Sequence, residues 1–247
     1  MGAARVTTQT RPAFYALQPG GWRDYVTLLH PPYTLWHLSY AAIGAALAPG
    51  FELKRLAAAL AAFFLAVGIG AHALDELNGR PLATRIPSSV LWVLAAVSIA
   101  GAVSIGIASA LAWTLWLLPF VLVGGFVVCA YNLELFGGRF HGDVWFAVSW
   151  GALPLLSAYV VTAERLDAEA LVAAAAATLL SLAQRALSTR VRTVRRRARS
   201  VRGVVEYADG TREDVNAAML TAVPEVALRL LTGAIAALAV ALLLVRL

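Results

Sequence analysis

Charged residues are scarce in this sequence, and their scarcity excludes an ordinary soluble domain. Only 14% of the 247 residues are Asp, Glu, Lys or Arg, whereas 60% are hydrophobic, and the mean hydropathy is +0.75. A soluble domain carries charge on about a quarter of its residues. Because the excess of Ala, Leu and Val is arranged in long blocks, the sequence predicts a polytopic helical membrane protein.

Cysteine is nearly absent, and an apolar leader is missing from the N-terminal segment. The one cysteine, Cys129, excludes a disulfide within the chain and a metal site built from several cysteines. Residues 1–32 are polar and aromatic, so we expect no cleavable signal peptide. The net charge of +6 comes mostly from arginine. In a membrane protein such arginines hold loops in the cytoplasm, and we therefore expect no nucleic-acid partner.

Seven apolar blocks are long enough to be membrane spans, and they follow an N-terminal interfacial segment, residues 1–32. The blocks cover residues 33–49, 56–74, 89–109, 110–131, 144–162, 170–187 and 223–244. The predicted fold class is therefore an all-α, multi-pass transmembrane helical bundle of about seven spans, with the membrane domain at residues 33–247.

The longest polar stretch, residues 188–221, separates the last two predicted spans. Its first half is dense in arginine, and its second half alternates apolar and polar residues around Asp209 and Gly210, which is typical of a β-hairpin. The loops after the second, fourth and sixth spans are the polar ones. The positive-inside rule therefore predicts that these loops and the N-terminus lie in the cytoplasm, facing one another.

A polar cluster at the end of the second span is the most informative stretch. It begins with His72, Asp75 and Glu76 and continues to Arg80. If the helix extends through it, the first three residues lie three and four positions apart and share one face. Charged groups near hydrocarbon are costly unless they have a task. The residue types alone leave two interpretations open: a functional site, and an ordinary polar cap where a helix leaves the bilayer.

Two of the early segments resemble the UbiA superfamily of intramembrane prenyltransferases. Residues 28–48 are similar to the family's opening helix, with His30 at the place of an arginine. Residues 70–87 are similar to the end of its second helix, where an Asn-Asp-x-x-Asp motif precedes a loop with Arg-Pro-Leu. Asp75 matches the second Asp of that motif, and residues 80–82 match the loop.

A third segment, residues 130–159, resembles the family's Tyr-Ser-x-x-Leu-Lys loop and the glycine-containing helix that follows. Tyr131 matches the tyrosine, and Asn132 stands in place of the serine. The family carries a second Asp-rich motif at the end of its sixth helix, whereas residues 184–200 of this chain contain no carboxylate. The resemblance is carried by the order and the helix positions of the three segments, and it spans about residues 22–190.

The resemblance implies transfer of an isoprenoid chain from a prenyl diphosphate to a lipophilic or aromatic acceptor within membrane lipid. It implies Asp75, His72 and Tyr131 as catalytic residues, and Mg²⁺ held by Asp75 and Glu76, since hard oxygen ligands suit this cation. Arginine binds phosphate bidentately and compensates for missing metal ligands. The substrate-binding candidates are Arg80, Asn132, Arg190 and Arg192.

Two further alternatives remain open. The arginine run at residues 190–202 is also typical of a topogenic or lipid-headgroup-binding segment. The whole chain is also consistent with a non-catalytic relative of the prenyltransferases, which binds an isoprenoid or lipid or has a structural role in the membrane.

Overall fold

A computed structural model describes residues 11–247, and these fold into a bundle of helices. Two helices come first, α1 (Trp22–Leu28) and α2 (Pro31–Leu47). The following helices are long and apolar, and they are α3 (Leu53–Leu77), α4 (Ser88–Ala112), α5 (Leu115–Asn132), α6 (Asp143–Ala163), α7 (Ala168–Arg197) and α8 (Ala217–Leu244). Within the described residues these six are long and apolar enough to cross a bilayer, which indicates an integral, multi-pass membrane protein.

The first predicted span, α2, is shorter than the other six. Its 17 residues extend about 25 Å at 1.5 Å per residue, whereas the hydrocarbon core of a bilayer is about 30 Å thick. The helix lies in the middle of the bundle, where Trp36, Tyr40 and Ala45 are almost completely buried. The seven-span topology therefore stays a prediction, while an all-α bundle with six long apolar helices is established.

Small residues let the central helices approach closely. A Cβ atom on Gly44 of α2 would stand 2.1 Å from the carbonyl oxygen of Leu155 in α6. A Cβ atom on Gly151 of α6 would stand 2.7 Å from the carbonyl oxygen of Ala177 in α7. Transmembrane helices associate through such close backbone contacts. The contact of α2, α6 and α7 is therefore a tightly packed core, which we call the central core.

Within residues 11–247, three helices contain a π-helical turn. The turns cover Phe64–Ala71 in α3, Val148–Ala152 in α6 and Thr193–Arg197 in α7. A π turn adds a residue to one helical turn and so changes which side chains face a neighbouring helix. Such turns are rare and are frequently found at functional sites. All three lie in helices that contribute residues to one cavity, described below.

The sequence between α7 and α8 forms the predicted β-hairpin. Strands β1 (Gly203–Glu206) and β2 (Arg212–Val215) pair in antiparallel register, and Gly210 in the turn has φ +84°. The preceding arginine run was predicted to be a loop, and this prediction was wrong for its first part. Helix α7 extends to Arg197, with Val191 and Val194 on its buried face, whereas residues 198–202 are neither helix nor strand.

Candidate functional site

A cavity lies at one end of the bundle, where α2 and α6 begin and α3, α5 and α7 end. We call it the polar cavity. Its walls carry all four histidines of the chain and three arginines, namely His30, His37, His72, His141, Arg185, Arg192 and Arg196. Two carboxylates, Asp75 and Glu134, also line it. The excess of positive charge makes this cavity suitable for an anion.

The structure brings five of the predicted site residues into the polar cavity. They are His72 and Asp75 at the end of α3, Tyr131 and Asn132 at the end of α5, and Arg192 near the end of α7. The carboxylate of Asp75 forms no hydrogen bond or ion pair with any described residue. Burying a carboxylate without a bonded partner costs free energy. Its retention in this cavity favours a functional interpretation over a polar cap.

Glu76 has a structural task, and the expectation that it shares a metal with Asp75 does not fit its position. Its side chain is fully buried. One carboxylate oxygen accepts a hydrogen bond from the Leu82 amide at 2.9 Å, and the other accepts from the Thr84 amide and hydroxyl, both at 2.8 Å. Successive helical residues point about 100° apart, so Glu76 turns to the loop that follows α3 while Asp75 lines the cavity.

Arg80 also belongs to that loop and does not line the polar cavity, contrary to its predicted role in substrate binding. Its guanidinium donates hydrogen bonds to the carbonyl oxygen of Ile86 and to Oγ of Ser88, both at 2.6 Å. Its backbone has φ 53°, a left-handed conformation that residues other than glycine rarely adopt. Arg80 and Glu76 together hold the α3–α4 loop in shape.

Arg190 is exposed outside the cavity, which corrects its pairing with Arg192 as a phosphate ligand. Two residues along a helix correspond to a rotation of about 200°, so the two arginines face opposite ways. Arg185 and Arg196 share the face of Arg192 instead, because they are seven residues before it and four residues after it. This spacing is visible in the sequence, and the prediction overlooked it.

Three buried polar atoms that face the polar cavity have no hydrogen-bond partner among the described residues. They are Nε2 of His30, the hydroxyl of Tyr131 and Oε1 of Gln184. Leaving a buried donor or acceptor unpaired costs about 1–3 kcal/mol, so such atoms usually have a partner in the working molecule. Their convergence on one cavity indicates that a polar ligand or water completes their hydrogen bonds.

His30 is a neutral group at the edge of this cationic cavity. Burial lowers the pKa of His30 well below 6.5, and electrostatic interaction with His72, Arg196 and Arg192 lowers it further. The ring stacks on His72 with centroids 4.0 Å apart, and its Nδ1 lies 2.8 Å from the hydroxyl of Tyr15. The neutral His30 ring therefore stacks on His72 next to the arginines.

The N-terminal segment covers part of the polar cavity, a feature that sequence analysis missed. Phe14 and Tyr15 line it. Arg196 donates a hydrogen bond through Nε to the Pro12 carbonyl oxygen at 3.2 Å, and the Arg229 guanidinium lies 5.1 Å from the centre of the Phe14 ring. The segment was predicted only as interfacial, and residues 1–10 of that prediction lie outside the described residues.

A second, apolar cavity lies deeper in the bundle, between α3, α4, α5 and α6. Valine, alanine and glycine make up most of its walls. Trp150 borders both cavities. On α3, Val67 of the apolar cavity and Ala71 of the polar cavity are four residues apart, and Val127 and Tyr131 repeat this relation on α5. A cationic compartment thus lies next to an apolar one.

The side chains present do not build a magnesium site of several ligands. Within residues 11–247, no group of three or more His, Cys, Asp and Glu side chains is arranged to hold a metal ion. Asp75 is the one predicted metal ligand that faces the polar cavity. The positive groups that face an anion here are arginines.

Comparisons with known proteins identify no relative: no family model matches the chain, and no curated protein or solved structure matches it significantly.

Proposed function

We propose that this protein is a membrane prenyltransferase, which binds a prenyl diphosphate and transfers its isoprenoid chain to a lipophilic or aromatic acceptor. The observation that carries the proposal is the position of Trp150 between a cationic cavity and an apolar one. A prenyl diphosphate has the same two parts, an anionic head and a long apolar chain. The resemblance of residues 28–48, 70–87 and 130–159 to the UbiA superfamily supports the same reaction.

Three arginines on one face of α7 take the role of binding the diphosphate. Arg185, Arg192 and Arg196 line the polar cavity, and guanidinium groups bind phosphate oxygens bidentately and stay charged at any working pH. Their fixed charge stabilises the negative charge that develops on the diphosphate as it leaves. The unpaired hydroxyl of Tyr131 is available to donate a further hydrogen bond to a diphosphate oxygen.

Transfer requires a base as well as an anion site. The bond between C1 of the prenyl chain and the diphosphate oxygen breaks, and its electron pair leaves on that oxygen. The acceptor then supplies the electron pair of the new bond to C1 and releases a proton. Asp75 takes this proton in our proposal, because its carboxylate lines the polar cavity and is bonded to no described residue. His72 lines the same cavity and stacks on His30.

A second candidate function is non-catalytic binding of an isoprenoid or another anionic lipid. The observation that favours it is that residues 11–247 hold no group of three metal ligands, together with the lack of acidic residues between positions 184 and 200. Such a protein would use the same arginines and the same apolar cavity but would release no diphosphate.

The deciding experiment uses the purified full chain in lipid nanodiscs with geranylgeranyl diphosphate as the probe. Binding and release of diphosphate are measured with added magnesium and with a chelator. We expect Arg192→Ala to weaken binding about tenfold or more, as loss of a charged hydrogen bond does. Arg190→Ala is the matched control, because Arg190 is two positions away and exposed. We expect this variant to bind geranylgeranyl diphosphate as the parent protein does.

Each outcome separates the candidates. Diphosphate release by the parent protein supports the transferase, whereas binding without release from any prenyl donor supports the non-catalytic candidate. Equal losses for Arg192→Ala and Arg190→Ala, with steep weakening by salt, would mean that the arginines act through anionic lipid.

We further propose that the polar cavity opens to the cytoplasm and that the chain has seven spans. The arginine-rich end of α7 supports this orientation through the positive-inside rule. The test is accessibility labelling of Ser200→Cys and Leu247→Cys in a Cys129→Ala background. Seven spans require the two sites to react from opposite sides of the membrane, and reaction from one side would exclude this topology.

A further inference from the structure

Trp150 owes its position to a proline and to a distant histidine. In an α-helix the carbonyl of residue 150 would accept a hydrogen bond from the amide of residue 154. That residue is Pro154, which has no N–H, and α6 forms its π turn at Val148–Ala152 immediately before it. His37 of α2 supplies the missing donor, with Nδ1 2.9 Å from the carbonyl oxygen of Trp150.

The hydrogen bond also fixes the tautomer of His37. A carbonyl oxygen only accepts, so Nδ1 carries the proton and donates it. The side chain of His37 is 2% exposed and links two helices at positions 113 residues apart in the chain. Freed carbonyls in membrane helices are usually satisfied by a neighbouring side chain. His37 thereby holds the backbone that presents the indole ring.

Trp150 belongs to an aromatic group with Tyr131 and Phe146, and it differs from them in having none of the described arginines over its ring. Its ring lies 4.6 Å from the Tyr131 ring and stacks on Phe146 with centroids 5.7 Å apart. The guanidinium of Arg185 already lies 5.9 Å and 5.3 Å from the centres of the Tyr131 and Phe146 rings. Among the described residues no cationic side chain lies over the Trp150 ring.

We propose that Trp150 is a catalytic residue that stabilises the allylic cation, and that His37 is the positioning residue that holds the Trp150 backbone in place. This inference rests on the proposed prenyl transfer. A donor with its diphosphate in the polar cavity and its chain in the apolar cavity has C1 where the two meet, beside Trp150. As the C1–O bond breaks and its electron pair leaves with the diphosphate, C1 and C3 share a positive charge. The face of a tryptophan attracts a cation more strongly than any other side-chain ring.

The charge then disappears as the new bond forms. The acceptor donates its electron pair to C1, and its proton passes to the carboxylate of Asp75, so that the products are the prenylated acceptor, diphosphate and a proton. Trp150 therefore acts on a species that exists only during the reaction. An interaction made only in the transition state changes kcat and leaves substrate binding unchanged.

Variants of Trp150 separate this role from packing. We expect Trp150→Leu to lower kcat about 30-fold, the equivalent of a desolvated cation–π interaction, with little change in KM. Trp150→Phe keeps an aromatic face and should lose less. If Trp150 only packed between the cavities, both variants would raise KM or lower the unfolding temperature, and kcat would be unchanged.

Variants of His37 test the positioning role by geometry. An asparagine amide nitrogen reaches the position of Nδ1, whereas a glutamine amide nitrogen reaches that of Nε2. We therefore expect His37→Asn to retain most of the parent's kcat. We expect His37→Gln to lower kcat as much as Trp150→Leu does. The two side chains are equally polar, so a general loss of packing or polarity would affect both alike.

The measurement is steady-state release of diphosphate from geranylgeranyl diphosphate by the full chain in nanodiscs. A kcat that is unchanged in Trp150→Leu, or equal in His37→Asn and His37→Gln, overturns this inference while the parent's activity upholds the proposed function. A parent chain that releases no diphosphate overturns both. If Trp150→Leu does not fold, Trp150→Phe and the His37 pair decide the question.

Discussion

The central core and the polar cavity are neighbouring parts of one bundle, yet they are built in opposite ways. In the central core, glycines bring backbones into contact and the largest side chains are buried. Trp36 donates a hydrogen bond from Nε1 to the hydroxyl of Tyr40 at 2.7 Å. In the polar cavity, an unpaired carboxylate lies among arginines, and three buried polar atoms lack partners among the described residues.

The difference separates residues that serve folding from residues that serve function. Unsatisfied polar groups and irregular helical turns lower stability, so they persist where another part of the molecule offsets their cost. The α3–α4 loop shows both tendencies side by side. Glu76 completes its hydrogen bonds within the protein, while its neighbour Asp75 remains available in the cavity.

The largest effect should come from breaking the central core. In Gly44→Ala the added Cβ would stand 2.1 Å from the Leu155 carbonyl oxygen, so α2 and α6 must move apart. We expect a loss of about 3 kcal/mol or more in the free energy of unfolding, seen as a lower unfolding temperature in detergent. Gly233→Ala is the control, because nothing lies within 4 Å of its Cβ. Equal unfolding temperatures for both variants would refute the close contact.

The next effect should distinguish the two neighbouring carboxylates. Glu76→Gln turns an amide group toward the donors of Leu82 and Thr84, and we expect a loss of about 2–3 kcal/mol of stability. Asp75→Asn should leave the unfolding temperature unchanged or raise it, because no described residue is bonded to that carboxylate, while it lowers diphosphate release. The pair is compared by thermal unfolding and by the transfer assay. Destabilisation by Asp75→Asn alone would reverse the assignment of the two roles.

The smallest effect should appear as a pH dependence of stability at the edge of the polar cavity. Because the folded pKa of His30 lies well below 6.5, the unfolded chain binds a proton more readily than the folded one. The free energy of unfolding is therefore highest above pH 6.5, and it decreases as the pH falls from there to the folded pKa of His30. We expect His30→Asn to flatten the decrease in unfolding temperature between about pH 8 and about pH 5. Parallel pH profiles for parent and variant would contradict this assignment.

Much of the fold followed from periodicity and composition. The apolar blocks predicted the long helices within a few residues, and alternation around Asp209 and Gly210 predicted the hairpin. The end of α7 was missed because an arginine run was interpreted by composition alone. Helical spacing of Val191, Val194 and the arginines was the better signal, since a stripe of buried residues continues into the run as far as Val194.

The sequence by itself determined that apolar helices dominate. It also determined that three polar segments come to the same end of the bundle, because every second loop between antiparallel helices lies on the same side. Only the tertiary structure decided which side chains face the cavity. A rotation of about 100° per residue separates Asp75 from Glu76, and no composition records it. The position of Trp150 depends on Pro154, which frees a carbonyl, and on His37, which is 113 residues away from that carbonyl and satisfies it. A contact between such distant positions exists only once the helices have packed.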